Sequence, residues 1–227
     1  MQELFQNFQI RVNDKLYIKD PESSELGKRI VENSILLMDE IGFESFTFKK
    51  LSDKINSTEA SVYRYFENKH KLLIYLTSWY WAWIDYQVVL HTYSISNAEK
   101  KLETIISIVS QTIQADDSFT HIDEGRLFNI MINEYSKSFL TKEVDDDNKD
   151  GFFAIYKRVI TRLKEAILAV RPEYPFPASL ASTVVESALH QHFLKKHFHT
   201  ITDCNESVEP SEFCKNLVLQ TLNVTSQ

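Results

Sequence analysis

Four glycines punctuate the 227 residues, at Gly27, Gly42, Gly125 and Gly151, and no two lie close together. A Walker phosphate loop, a GxGxxG dinucleotide turn and a GxSxG nucleophile elbow all need clustered glycines, so those function classes are excluded. Five prolines leave long stretches without a turn residue, and the chain is expected to be all-α. It is long enough for a sizeable core, and its 43% apolar and 25% charged residues are those of an ordinary globular protein. No window of about 18 apolar residues occurs, so no membrane span is expected. The first residues lack the basic-then-apolar order of a signal peptide. Cys204 and Cys214 are too few for a disulfide framework and too isolated for a zinc site, which points to reduced thiols and a cytoplasmic location.

A formal charge of −7 argues against indiscriminate binding to nucleic acid, but the charge is unevenly spread. Residues 1–75 carry 11 basic and 12 acidic side chains, whereas residues 76–227 carry 14 and 20. Within 47–71 six bases face three acids, which makes this a locally basic stretch.

That stretch has the punctuation of short helices. An N-terminal segment, 1–20, alternates Phe8, Ile10 and Val12, then Leu16 and Ile18, about Asn13-Asp14, as a hairpin or an arm would. Asp20 as N-cap and Pro21 at the first helical position open a helix that Gly42 closes. Thr47 caps a second helix with Phe48, Leu51 and Ile55 inward and Lys49, Lys50 and Lys54 outward. Asn56-Ser57 makes a turn, and Thr58 caps a third helix over 59–66. A fourth runs from near Asn68 to about residue 93. Two short helices joined by a tight turn and braced by a longer one make a helix-turn-helix, so residues 21–76 are read as a DNA-binding domain.

Residues 77–227 are read as a helical domain, with helices near 98–115, 122–140, 151–170, 178–199 and 210–223. Their breaks are Asp116-Asp117, the acidic loop "TKEVDDDNKDG" and the proline-rich "RPEYPFP".

A helix entering a major groove needs small or polar residues where its backbone nears base edges, and Thr58, Glu59, Ala60 and Ser61 meet that need. Tyr63, Arg64, Tyr65 and Lys69 are placed to reach phosphates, with Thr47, Lys49 and Lys50 on the preceding helix. From Gly27 to about Leu76 the chain resembles the DNA-binding domain of the TetR family of transcriptional regulators. The resemblance rests on Gly42-Phe43, Thr47, the Thr58 cap, "YRYF" and Lys69. Two positions depart from the family pattern. Asn56 stands where Gly is usual, and Asn also accepts positive φ. Ala60 stands where Gly is common. Glu59 supports the helix N-terminus electrostatically, or accepts from a cytosine amino group.

The resemblance implies an effector-binding C-terminal domain, a homodimer, a palindromic operator and no cofactor. The function so implied is that of a one-component regulator, a repressor released by a small apolar or aromatic ligand.

Other constellations are weighed against plain packing. Trp79, Tyr80, Trp81, Trp83 and Tyr86 crowd one helix on all sides, as in a buried helix. Read functionally, Trp83, Tyr86 and Gln87 line a ligand pocket with Phe128, Met131 and Tyr135 opposite. Phe152, Tyr156, Val159 and Leu163 form one helical stripe, and Ala181, Val184, Val185, Ala188 and Phe193 another. Together these stripes would make a four-helix dimer interface, or else face their own core. His190, His192, His197 and His199 lack the i, i+4 spacing of a metal pair. "DDDNKDG" resembles a calcium loop, but Lys157 stands where the bidentate Glu is required, so no metal is expected. The rival from another class is an architectural DNA-binding protein without an effector, separable by whether residues 80–200 enclose an apolar cavity. No nucleophile–base spacing supports an enzyme.

Overall fold

A computed structural model of the chain describes residues 10–113 and 121–224, and among these the regular structure is helical, without a strand. The ten α-helices among the described residues are α1 Glu25–Ser45, α2 Phe48–Lys54, α3 Glu59–Tyr63, α4 Lys69–Thr92, α5 Ala98–Ser110, α6 Glu124–Glu134, α7 Val144–Lys149, α8 Ala154–Val170, α9 Pro177–His197 and α10 Pro210–Thr221. No helix among the described residues is long and apolar enough to cross a membrane.

The hairpin expected around Asn13-Asp14 is not formed by residues 10–20, and Phe8 lies outside the described residues. Asn13 instead caps a 3-10 turn, Asp14–Leu16, by accepting from the Lys15 N–H. Asn favours such local bonds over strand pairing. Leu16 is buried, and Ile18 N–H donates to the Tyr65 carbonyl (2.8 Å).

Asp20 does act as a cap, but of a 3-10 turn, Pro21–Ser23; Ser24 caps α1. Gly27 shows why the helix starts late. A Cβ there would lie 2.2 Å from the Pro21 carbonyl oxygen, so the turn packs directly on α1. Gly42 breaks α1 as expected, with φ +74°. The Phe43 N–H freed by that break donates to Glu134 Oε1 at 3.0 Å.

Farther on, α5 ends at Ser110 and α6 at Glu134, where a 3-10 turn, Tyr135–Ser138, takes over. The acidic stretch expected as a loop contains a helix, α7. Its residue Asp147 is buried, which anchors the segment. Gly151, at φ +83°, then delays α8 to Ala154.

The chain divides into two compact units. The first comprises residues 1–83, 116–130 and 134–155; the second comprises 84–115, 131–133 and 156–227. In the first, Phe46, Leu51, Val62, Phe66, Leu72 and Leu76 form a fully covered core around α1 to α4. Tyr75 lies within it, and burial pushes its phenol far above the usual range. In the second, α5, α9 and α10 pack on one another. Asp85 of α4 receives Arg158 Nε (2.9 Å) and Arg162 Nε (2.5 Å) from α8.

Candidate nucleic-acid interface

Caps and a left-handed residue build the helix-turn-helix. Thr47 Oγ1 accepts from Lys50 N–H and Thr58 Oγ1 from Ser61 N–H, each at 3.2 Å, so both short helices start where their threonines dictate. Asn56 has φ +50°, and Ser57 N–H closes the turn on the Ser52 carbonyl. Phe48, Leu51, Ile55, Val62 and Phe66 point inward. The Arg29 guanidinium donates to the Ile55 carbonyl at the end of α2.

The opposite face is polar and open. Thr47, Lys49, Lys50, Thr58, Ala60, Tyr63 and Arg64 are exposed, and Glu59 is half-buried in the first turn of α3. Tyr63 is 47% exposed, with its ring edge-on to Phe48 at 5.0 Å, so the core sets its direction. Lys49 pairs with Asp53 (2.8 Å), Lys50 Nζ donates to the Ser45 carbonyl (2.8 Å), and Arg64 donates to Ser61 Oγ (3.3 Å). All three cations keep an open side.

Three residues expected on this face are taken up by the fold instead, two of them buried and Lys69 half-buried. Because α3 ends at Tyr63, the next turn carries Tyr65 inward, where its hydroxyl shares a hydrogen bond with Ser24 Oγ at 2.7 Å. That bond holds its phenol below the usual range. Ser61 is buried, its hydroxyl bonded to Thr58 Oγ1. Lys69 donates to the carbonyls of Phe43, Glu44 and Phe46 at 3.0 to 3.3 Å and sits 4.6 Å from the Phe43 ring centroid. These carbonyls lie at the end of α1, where helical donors run out, and although Phe46 N–H also reaches the Phe43 carbonyl (3.3 Å), the lysine gives all three a donor. All three ammonium protons are engaged, so Lys69 is not a free phosphate contact.

The residues expected to meet a ligand divide between the units. In the first, Phe128 stacks on Tyr80 (6.3 Å) and Tyr135 meets Trp81 edge-on (5.6 Å). Trp83 is buried, and no acceptor lies within hydrogen-bond reach of its Nε1 among the described residues. In the second, Met131 is fully covered, while Tyr86 and Gln87 are half-buried and Gln87 bonds His91 (3.1 Å).

The dimer stripes are corrected by burial. Val159, Leu163, Ala181, Val184, Val185 and Ala188 have no exposure, so they fill the core of their own unit. Phe152 precedes α8 altogether and is buried, its carbonyl accepting from Ser78 Oγ. Of the nine residues only Tyr156 and Phe193 keep partial exposure. The outward row of α9 runs Ser179, Thr183, Glu186, His190, Phe193 and His197, at alternating spacings of four and three. It went unread because polar residues broken by one Phe do not register as an apolar stripe. Tyr156 reaches this row, its hydroxyl donating to Glu186 Oε1 at 2.6 Å.

Among the histidines, His192 points inward to the Ser110 carbonyl. Among the described residues no group of three or more His, Cys, Asp or Glu side chains could hold a metal. Both cysteines are free and buried, and burial pushes the Cys214 thiol up to about 11.

Comparison with known proteins bears on the same residues. The sequence model of the bacterial regulatory proteins of the tetR family matches residues 30–76. No curated protein matches the chain. Among solved structures, AibR in complex with isovaleryl coenzyme A and operator DNA is 17% identical. Its TM-score is 0.55 over 85% of this chain and 97% of that one. The fatty acid degradation regulator FadR from Bacillus halodurans is 14% identical, with TM-score 0.59 over 86% and 93%. The superantigen PfiT is also 14% identical, with TM-score 0.60 over 89% and 97%. At such identities the likeness is one of fold, and PfiT shows that the fold alone does not decide what a protein does. Residues 30–76, by contrast, match the sequence model of the tetR family itself, and this is the stretch that holds the helix-turn-helix.

Proposed function

We propose that the chain is a homodimeric repressor that binds a two-fold symmetric operator through α3 of each copy and is released by a small apolar or aromatic ligand. The observation that carries this reading is the two-sidedness of α3. Val62 is fully covered, while Thr58, Ala60, Tyr63 and Arg64 stand exposed beside Lys49 and Lys50. Such a face offers small groups to base edges and cations to phosphates. The outward row of α9, with Tyr156 beside it, is the surface on which two copies meet. The protein acts in the cytoplasm and by binding, not catalysis.

The effector binds against Trp83, whose covered indole N–H is a donor awaiting an acceptor oxygen. Differential affinity of that ligand for two conformations supplies the coupling to DNA. The isovaleryl coenzyme A of the AibR complex makes that compound the first probe, read by tryptophan fluorescence and loss of DNA binding.

Selection of bound sequences from random duplex DNA tests the reading. The expected result is a palindrome with half-site centres about one helical turn apart or slightly more. An asymmetric single half-site would overturn the dimer.

A further inference from the structure

The first turn of α4 reads Lys69-His70-Lys71 and contains no acid. A helix N-terminus carries partial positive charge, so bases are disfavoured there and an anion is wanted. Asn68 Oδ1 accepts from Lys71 N–H but brings no charge. The missing anion arrives from α7. Asp147 Oδ2 lies 3.2 Å from His70 Nε2, and Oδ1 lies 3.2 Å from Lys71 Nζ. This carboxylate is buried, whereas Asp145 and Asp146 beside it are exposed.

The surroundings fix it there. Lys71 Nζ sits 3.9 Å from the Phe152 ring centroid, Phe152 N–H donates to the Asp147 carbonyl, and Ser78 Oγ donates to the Phe152 carbonyl. Asp150 pairs with Lys15 (2.8 Å), and its carbonyl accepts from Asn13 Nδ2 (2.8 Å). The acidic segment is thus pinned to α4 and to the N-terminal arm. On the other side, Lys69 ties the same turn to the broken end of α1. Only Arg64–Asn68 separate this turn from α3, and Tyr65 and Phe66 among them are buried. The position of the turn therefore determines the position of α3.

We infer that Asp147 is a positioning residue for DNA binding, its carboxylate holding the first turn of α4, and through it α3, in the geometry that meets the operator. The inference rests on the DNA-binding reading above. A carboxylate acting instead as a phosphate mimic would need partners open to DNA, but the side chains of His70 and Lys71 are only 26% and 19% exposed.

The test uses the full chain and the duplex selected by the wild-type protein, with affinity read by fluorescence anisotropy and folding by circular dichroism. Asp147→Asn is expected to bind about tenfold more weakly at unchanged salt slope, since no phosphate contact is removed. Lys71→Glu should weaken binding similarly, and the charge-swapped double Asp147→Lys/Lys71→Glu should recover most of the loss. Asp147→Asn binding as tightly as wild type, or tighter, would overturn the inference. So would a folded double variant that recovers nothing. A wild-type protein that selects no DNA would instead sink the DNA-binding reading itself.

Discussion

Asp85 and Asp147 are two buried aspartates, one in each unit, and each is met by two basic side chains. Asp85 meets two guanidinium groups at 2.9 and 2.5 Å, supplied by Arg158 and Arg162 four residues apart on one face of α8. Asp147 meets an imidazole and an ammonium, both at 3.2 Å. Guanidinium is planar, permanently charged and weakly hydrated, so the Asp85 contacts are short and directional. Those at Asp147 are longer and rest on groups that titrate or hydrate strongly. The partners differ as well: the Arg158 and Arg162 side chains are 53% and 36% exposed, whereas His70 and Lys71 are mostly covered. Equal burial of an acid thus supports two devices, a stiff lock between helices and a softer hold on the turn that leads from α3.

The contrast is broken most directly by stranding Asp85. Replacing both partners, Arg158→Met/Arg162→Met, leaves a covered carboxylate without a cation and should cost about 3–5 kcal/mol in urea unfolding. Asp85→Asn should cost less, about 1–2 kcal/mol, because the two arginines regain water. Equal losses from the two changes would show that the exposure of the arginines does not matter, and a double variant near wild-type stability would dissolve the lock.

A cation used by the fold can be separated from one left to solvent in the same way. Lys69→Met removes a donor from three carbonyls and should lower stability by about 1–2 kcal/mol, with the salt dependence of DNA binding unchanged. Arg64→Ala should leave stability nearly untouched and flatten that salt slope by about one unit. A flattened slope for Lys69→Met would return Lys69 to the phosphates.

These two cations also mark what the sequence made legible. Thr47, Asn56, Thr58 and Gly42 were readable because a cap or a positive φ is a local demand, met within three or four residues. The helical class and the two-helix turn followed from them. Lys69 and Tyr65 were misplaced because their partners, the α1 carbonyls and Ser24, lie more than twenty residues away. The same limit hid Asp147, whose pattern spoke only of an acidic loop, while His70 and Lys71 are 77 and 76 residues distant. Val159, Leu163, Val184 and Val185 were rightly read as covered stripes. Periodicity reports that a face is buried but not against what, so their own core was mistaken for a partner's.

The smallest effect concerns the imidazoles and sharpens the comparison from the side of the bases. His70 stands beside a carboxylate, whereas His192 bonds a neutral group, the Ser110 carbonyl at 2.9 Å. Burial holds the His192 imidazole below its usual range, opposed by that carbonyl bond and by Glu209, while Lys195 lowers it further. Glu209 is itself paired with Lys195 at 2.8 Å, and burial outweighs what it and the carbonyl bond do for the ring. The unfolded chain therefore binds a proton at this histidine more readily than the folded one, and stability rises with pH across the window. The contribution is fully present above the ordinary imidazole value of about 6.5 and is lost as pH falls below it, at no more than about 1.4 kcal/mol per pH unit. His192→Gln can still donate an amide N–H to Ser110 but cannot take up a proton. The variant should be slightly less stable than wild type at pH 7.5, where its fit is poorer, and the gap should narrow or reverse by pH 5.5. Urea midpoints at the two pH values decide it. Parallel losses in the two proteins would show that the proton driving acid instability binds elsewhere, and that a covered imidazole on a carbonyl is not a fixed neutral group here.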